Sequence, residues 1–169
     1  MATSTLLQSL NTDADFGGVS AAASSNRRVV ETFIAGETLV VGDCVSLNLA
    51  ASADSDKGLV IVKGDTGTAT DICVIGVVLR GLDKDAAGTT ILTAGSRIEV
   101  VTRGLVLANV DGATAAGTRL IVGSTAGRLA VAADINEAGA ATVSQLPIVA
   151  IAAEADTANF AKVYVLANF

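Results

Sequence analysis

Histidine is absent from this chain, and with it go the commonest general base, the commonest zinc ligand and the usual pH switch. Without an imidazole neither a serine nor a cysteine triad can be assembled, and no Gly-x-Ser-x-Gly elbow occurs. Phosphate-cradling glycine patterns are missing too. Tryptophan is absent, and four Phe and one Tyr are the only aromatic residues, which leaves little material for stacking platforms. Eleven basic residues stand against seventeen acidic ones, for a net charge of −6. That balance argues against nucleic acid as a partner, because phosphate binding rests on clustered Lys and Arg. Apolar runs are short. Leu146 to Ala153 is typical and falls well below the roughly 18 residues that a membrane span needs. The N-terminus shows neither a basic n-region nor a continuous apolar h-region, so the expectation is no signal peptide and no membrane. Only two cysteines occur, Cys44 and Cys73, both within apolar runs. They read as two buried, reduced thiols; a disulfide requires that their strands be adjacent. The chain is therefore expected to be no enzyme, to hold no cofactor or metal, and to be made in the cytoplasm.

What is present is architecture. Half the residues are apolar, but they are Ala, Val, Leu and Ile. A fully buried Val or Leu stabilises by roughly 1.5–3 kcal/mol, and Ala by far less, so the core must consist of many small side chains closely packed. β-branched residues cluster in the apolar runs, which favours sheet over helix. Runs readable as strands are Val29–Ile34, Gly58–Lys63, Ile72–Leu79, Ile98–Thr102, Leu105–Val110, Thr118–Val122, Arg128–Ala132, Gln145–Ala153 and Ala161–Ala167. Ile72–Leu79 is almost wholly apolar and so central. Gly104, in mid-strand, marks a bulge or a bend that closes a small barrel. Pro147 opens its strand, where a missing N–H is tolerated.

A small or apolar residue, Gly, two residues and then alternating aliphatics recurs at Ala35-Gly36, Val41-Gly42, Ala94-Gly95 and Ala116-Gly117. It predicts a turn with Gly at positive φ followed by a strand. The irregular spacing argues against a solenoid and for one device used at several corners. About ten short strands with Gly-rich turns predict an all-β fold, a compact β-barrel or β-sandwich. Its expected core is Ile98, Val100, Leu105, Leu107, Leu120, Val122, Ile148 and Ile151.

Residues 1–28 differ from the single β domain expected over 29–169. They are rich in Ser, Thr, Ala and Gly, and two readings stand: a disordered terminus, or an extended arm ordered against a neighbouring subunit. In the second, Leu6, Leu7, Leu10 and Phe16 are the anchors, and Arg27 and Arg28 face an acidic surface or stay solvated. Asp65-Thr66-Gly67 matches the active loop of an aspartic protease, but that chemistry needs two carboxylates sharing one proton, and the surroundings read as a β-turn. Asp54-Ser55-Asp56-Lys57-Gly58 is a fragment of a calcium-loop pattern without its third carboxylate and closing Glu. Asp83–Gly88 is a loop or one helical turn. Phe160, Tyr164 and Phe169 form the one aromatic cluster and read as core and edge packing.

The order of these pieces resembles that of the phage capsid cement (head decoration) proteins. The matching parts are Gly42-Asp43-Cys44-Val45, Ile75-Gly76-Val77-Val78-Leu79, Ala94 to Val100, Gly104-Leu105-Val106, Ala116 to Leu129, Pro147 to Ala152 and Lys162 to Leu166, spread over residues 29–169. Each is a generic turn plus strand; the ordered set carries the resemblance. It departs from the family in its Ser/Ala-rich N-terminal arm. The resemblance implies a non-catalytic homotrimer on the outer surface of the virion, bound to the major capsid protein of the same phage. A head-fibre base, a tail-tube subunit, or a sugar- or ligand-binding β module are the alternatives.

Overall fold

A computed structural model describes residues 28–50, 58–67, 73–132 and 147–166. Within them the fold is all-β, as expected, and no helix occurs. Nine strands follow in chain order: β1 (Val29–Ala35), β2 (Cys44–Leu47), β3 (Val60–Lys63), β4 (Val74–Gly81), β5 (Arg97–Asp111), β6 (Arg119–Val122), β7 (Leu129–Val131), β8 (Ala150–Ala152) and β9 (Phe160–Val165). The sequence suggested a strand interrupted at Gly104 and resumed at Leu105. The chain continues through it as one strand of 15 residues, with Gly104 at φ 110°.

That long strand organises the molecule. The pairing order β1-β3-β2-β4-β5 is closed by a β1–β5 ladder, and β5-β7-β6-β8-β9 is closed by a β5–β9 ladder. Two five-stranded barrels therefore share β5, its first half belonging to one and its second half to the other. The second barrel repeats the first pair by pair. Parallel β1–β3 corresponds to parallel β5–β7, with Ala35↔Ile61 matched by Val110↔Leu129. Val45↔Lys63 is matched by Leu120↔Val131, Val45↔Gly76 by Leu120↔Ala150, and Val78↔Val100 by Ala152↔Val163. Phe33↔Ile98 across the closing ladder is matched by Ala108↔Ala161. Turn hydrogen bonds repeat as well. Gly42 N–H donates to Val78 O and Gly117 N–H to Ala152 O, while Ala35 N–H donates to Ser96 O and Val110 N–H to Asn159 O.

This repetition explains the recurrent glycine pattern. Val41-Gly42 and Ala116-Gly117 occupy the same corner of the two barrels, and both glycines have positive φ. Gly95 follows the same rule, and the place of Gly95 in the second barrel is taken by Ala158, one of two non-glycine residues at positive φ among the described residues. Gly36 departs from it. There a Cβ would lie 2.9 Å from Val60 Cγ1, so the position needs a missing side chain and not a left-handed backbone. Nor does the first copy of the pattern lead into a strand, since residues 37–43 form a connection.

Each barrel has its own core. Phe33, Ala35, Leu39, Val45, Ile61, Ile75, Val78, Ile98 and Val100 fill the first. Their counterparts Ala108, Val110, Leu120, Leu129, Val149, Ala152, Ala161 and Val163 lie in the second, and Thr114, the counterpart of Leu39, is buried too. β5 serves both cores through a bulge. Val30 pairs with Val101 and Val29 with Arg103, which leaves Thr102 as the extra residue. Ile98 and Val100 point into the first core and Val101 points away from it. The bulge then keeps Val106, Ala108 and Val110 on Val101's side, inside the second core.

Four of the expected core residues, Ile98, Val100, Leu120 and Val122, are fully buried. The other four are corrected. Leu105 and Leu107 lie on the outer face, Leu107 38% exposed, because β5 changes cores as well as register. Ile148 precedes β8 and is exposed, and Ile151 is half-buried, with Ala150 and Ala152 on either side turned inward. Val74–Gly81 is paired on both edges, which makes it central as its composition suggested.

Candidate interaction surface

One row of side chains crosses the outside of the second barrel from strand to strand. Arg119 on β6 pairs with Ile151 on β8, Ile151 with Tyr164 on β9, and Tyr164 with Leu105 on β5. Alternation along β9 puts Ala161, Val163 and Val165 inside and Phe160, Lys162 and Tyr164 outside. Phe160 is 40% and Tyr164 44% exposed, which corrects the core part of the expected core and edge packing. Leu107 stands opposite Lys162, extending the apolar face along β5. The Lys162–Glu154 pair at 3.3 Å is exposed on both sides and contributes little.

The equivalent row of the first barrel is Cys44, Val77, Val101 and Val30. The first three are fully buried and belong to the second barrel's hydrophobic cluster, while Val30 is exposed. The turn between β6 and β7 reaches over to this side. Cys44 N–H donates to Gly127 O at 2.8 Å, Gly127 N–H donates to Gly64 O at 2.9 Å, and the Cys44 thiol donates to Arg128 O at 3.4 Å. Gly127 has no side chain to spare, since a Cβ there would lie 2.9 Å from the Asp43 carboxyl.

Asp43 is the polar centre of this junction. Its Oδ2 accepts the Val40 N–H at 2.8 Å, and its Oδ1 accepts from Asn109 Nδ2 at 2.8 Å. Asn109 N–H also donates to Gly42 O at 2.8 Å, so one residue of β5 grips two successive residues of the first barrel. Burial pushes the Asp43 carboxyl above the usual carboxylate range, against the opposing pull of those two hydrogen bonds and of Lys63. Burial likewise pushes the Cys44 thiol up to about 12.

Of the residues singled out from sequence, Leu6, Leu7, Leu10, Phe16 and Arg27 lie outside the described residues, as do Asp54–Lys57 and Phe169. Arg28 is described. Its Nε donates to Leu105 O at 3.0 Å, which places the start of the described chain beside the outer row. Asp65 sits in a turn and accepts the Gly67 N–H at 2.9 Å on its own carboxylate. Cys44 and Cys73 are both free thiols, but Cys73 is exposed, not buried as expected. Asp83–Gly88 forms a loop closed by a Lys84↔Thr90 bridge, and Asp83 holds the first residue of β5, its Oδ1 accepting from Arg97 Nε and Nη2 and its Oδ2 from the Arg97 backbone N–H. Among the described residues no group of three His, Cys, Asp or Glu is arranged to hold a metal.

The sequence did carry the signal for the outer row. Lys162 is in phase with Phe160 and Tyr164, and Arg103 and Asp111 are in phase with Leu105 and Leu107. Charged residues in that phase mark the solvent side.

No family model matches the chain, and no curated protein matches it.

Proposed function

We propose that this chain is a capsid cement protein, which binds the outside of an assembled phage head and stabilises the shell against the pressure of the packed DNA. The observation that carries the reading is the ordered set of turn-and-strand pieces over residues 29–169, now seen as the corners and strands of two fused barrels. A ligand that binds only the assembled shell stabilises it by mass action. Such a ligand is served by closed barrels without long free edges and by apolar contacts spread over a wide area. The exposed large apolar residues fit that demand. They are mostly aliphatic, with Val40, Val41, Leu49, Leu59 and Leu82 on the first barrel and Leu107, Val131 and Ile148 on the second.

Copy number in purified particles, by densitometry against the major shell protein, tests the proposal. A number equal to that of the shell protein, or a simple fraction of it, is expected. A handful of copies moves the chain to a fibre or tail role, and absence from particles removes the structural reading. Deleting residues 2–26 is expected to leave the barrels folded and to weaken shell binding; unchanged binding would show that the arm makes no contact.

One observation favours a second reading, a sugar- or ligand-binding module. Phe160 and Tyr164 stand exposed on one face of β9, and exposed rings on one face are what carbohydrate stacking requires. Saturable binding in a glycan screen, lost in Phe160→Ala and Tyr164→Ala, would favour that reading over cement.

A further inference from the structure

β1 is fully paired on one edge only. Its ladder with β5 runs from Val29 to Ile34, but β3 meets it only at Ile34 and Ala35. Successive residues of a strand turn their N–H and C=O groups to alternate edges. Ile34 N–H donates to Leu59 O on the β3 side, and Ala35 N–H donates to Ser96 O on the β5 side. Val30 and Thr32 are in phase with Ile34. Their N–H and C=O groups therefore face the β3 side, where no backbone group among the described residues meets them. Both residues are exposed, as are Val29 and Glu31 beside them.

In the second barrel the same edge is covered. The counterparts of Val30, Thr32 and Ile34 are Leu105, Leu107 and Asn109. There the first half of the chain supplies partners: Leu105 O accepts from Arg28 Nε at 3.0 Å, and Asn109 N–H donates to Gly42 O at 2.8 Å. Only Leu107 lies between them, too short a gap for a further strand. No described residue does the same for Val30 and Thr32.

We propose that the open edge of β1 at Val30 and Thr32 receives an extended segment of another protein, added as a strand in line with β3. A strand edge with exposed N–H and C=O groups is a template for such pairing. Backbone bonds supply the affinity, and side chains at alternate positions the selectivity. Glu31 sets the chemistry of the occupant. It is exposed, accepts from Thr102 Oγ1 at 3.5 Å, and forms no ion pair among the described residues. The residue of the added strand opposite Glu31 shares its face, where an opposite charge stabilises and a like charge destabilises. The occupant therefore carries Lys or Arg at that position, with β-branched residues beside Val30 and Thr32. A basic segment is also drawn to a chain of net charge −6. The inference does not depend on the cement reading, since it concerns this edge alone.

The test uses the full chain and short capped peptides. In the free protein the amides of Val30 and Thr32 are expected to exchange faster than those of Glu31 and Phe33, which face β5. A peptide alternating valine and lysine is expected to bind saturably and to slow exchange at Val30 and Thr32 about tenfold. The same peptide with its backbone N-methylated is expected to do neither. A valine–glutamate peptide is expected to bind more weakly, and Glu31→Lys to reverse that preference. Thr32→Pro removes one N–H from the open edge and none from the β5 ladder, a place where an edge strand tolerates proline. It is expected to keep the wild-type circular dichroism and to lose the peptide. Slow exchange at Val30 and Thr32 in the free protein would overturn the proposal by giving the edge to this chain itself. So would an absence of peptide binding, equal binding of the N-methylated peptide, or a charge preference that Glu31→Lys leaves unchanged.

Discussion

Replacing Asn109 by alanine should loosen the junction between the barrels in a pH-dependent way. The substitution removes the 2.8 Å bond from Asn109 Nδ2 to Asp43 Oδ1 and leaves the backbone bond from Asn109 N–H to Gly42 O in place. A hydrogen bond to a charged group is worth about 1.5–3 kcal/mol. Asp43 is buried and, among the described residues, keeps the Val40 N–H as a direct donor, so the expected loss near neutral pH is about 2 kcal/mol, within that range. For a chain of this length that corresponds to a melting temperature lower by about 4–8 °C. The sign with pH follows from Asp43's raised pKa. The native state holds this proton more tightly than the unfolded chain does. Asp43 therefore costs the wild type stability as pH rises from the ordinary carboxylate range through its raised value. In the variant one of the bonds that lowers the pKa is gone, so the value moves higher still and the cost at neutral pH is larger. The difference between wild type and Asn109→Ala should thus be small below about pH 4, where the carboxyl is protonated in both states, and grow to its full size toward pH 7. Urea unfolding followed by far-ultraviolet circular dichroism across that range measures it. A difference independent of pH, or below about 0.5 kcal/mol throughout, would refute the assignment of Asn109 as the clamp on a buried carboxylate.

Gly76→Ala should destabilise by about 1–3 kcal/mol, since the added methyl meets the carbonyl oxygen of Val101 and lies 2.7 Å from Val100 Cγ1. The equivalent residue of the second barrel is already Ala150, and equal tolerance at both positions in denaturant titrations would contradict the local difference between the barrels. Leu129→Ala should cost about 2–5 kcal/mol and Leu107→Ser less than about 0.5 kcal/mol, a contrast that inverts if the face assignment of β5 is wrong. Native protein should react with one equivalent of a thiol reagent at pH 8, at Cys73, while Cys44, buried and with its thiol pushed up to about 12, should react only in denaturant. Two equivalents in the native state would be inconsistent with this burial.

The strands themselves were legible because their composition is one-sided. Val74–Gly81 has no polar phase at all until Arg80, and it is a fully paired central strand. The turns were legible through glycine, with Gly42, Gly95 and Gly117 doing what their pattern implied. What could not be read was that a single chain folds into two rings. Equivalent core positions hold different residues, Phe33 against Ala108, Ile98 against Ala161 and Leu39 against Thr114, so the repeat lies in the pairing and hardly shows in residue identity. Leu105 and Leu107 were misplaced for a related reason. A bulge was anticipated near Gly104, and one occurs at Thr102, but the reading assumed one core on one side of the strand. With a second core on the opposite side the parity of buried residues is restored, and it is Val106, Ala108 and Val110 that go inside. On the outer surface, Phe160 and Tyr164 were read as core and edge packing, although Lys162 between them gave their side as the wet one.

The shared strand also bears on the order of events during synthesis. The first barrel cannot close until β5 has emerged, because its ends meet only in the β1–β5 ladder, between residues far apart in the chain. The second barrel starts from a different position. When β6 leaves the ribosome, the strand on which that barrel is built is already the continuation of an ordered one, held in place by Val101 and by the bulge at Thr102. Chains fold from the N-terminus as they are made, so the entropic cost of placing the first strand of the second ring has been met before its partners exist. The finished half of the molecule acts as a primer for the unfinished half.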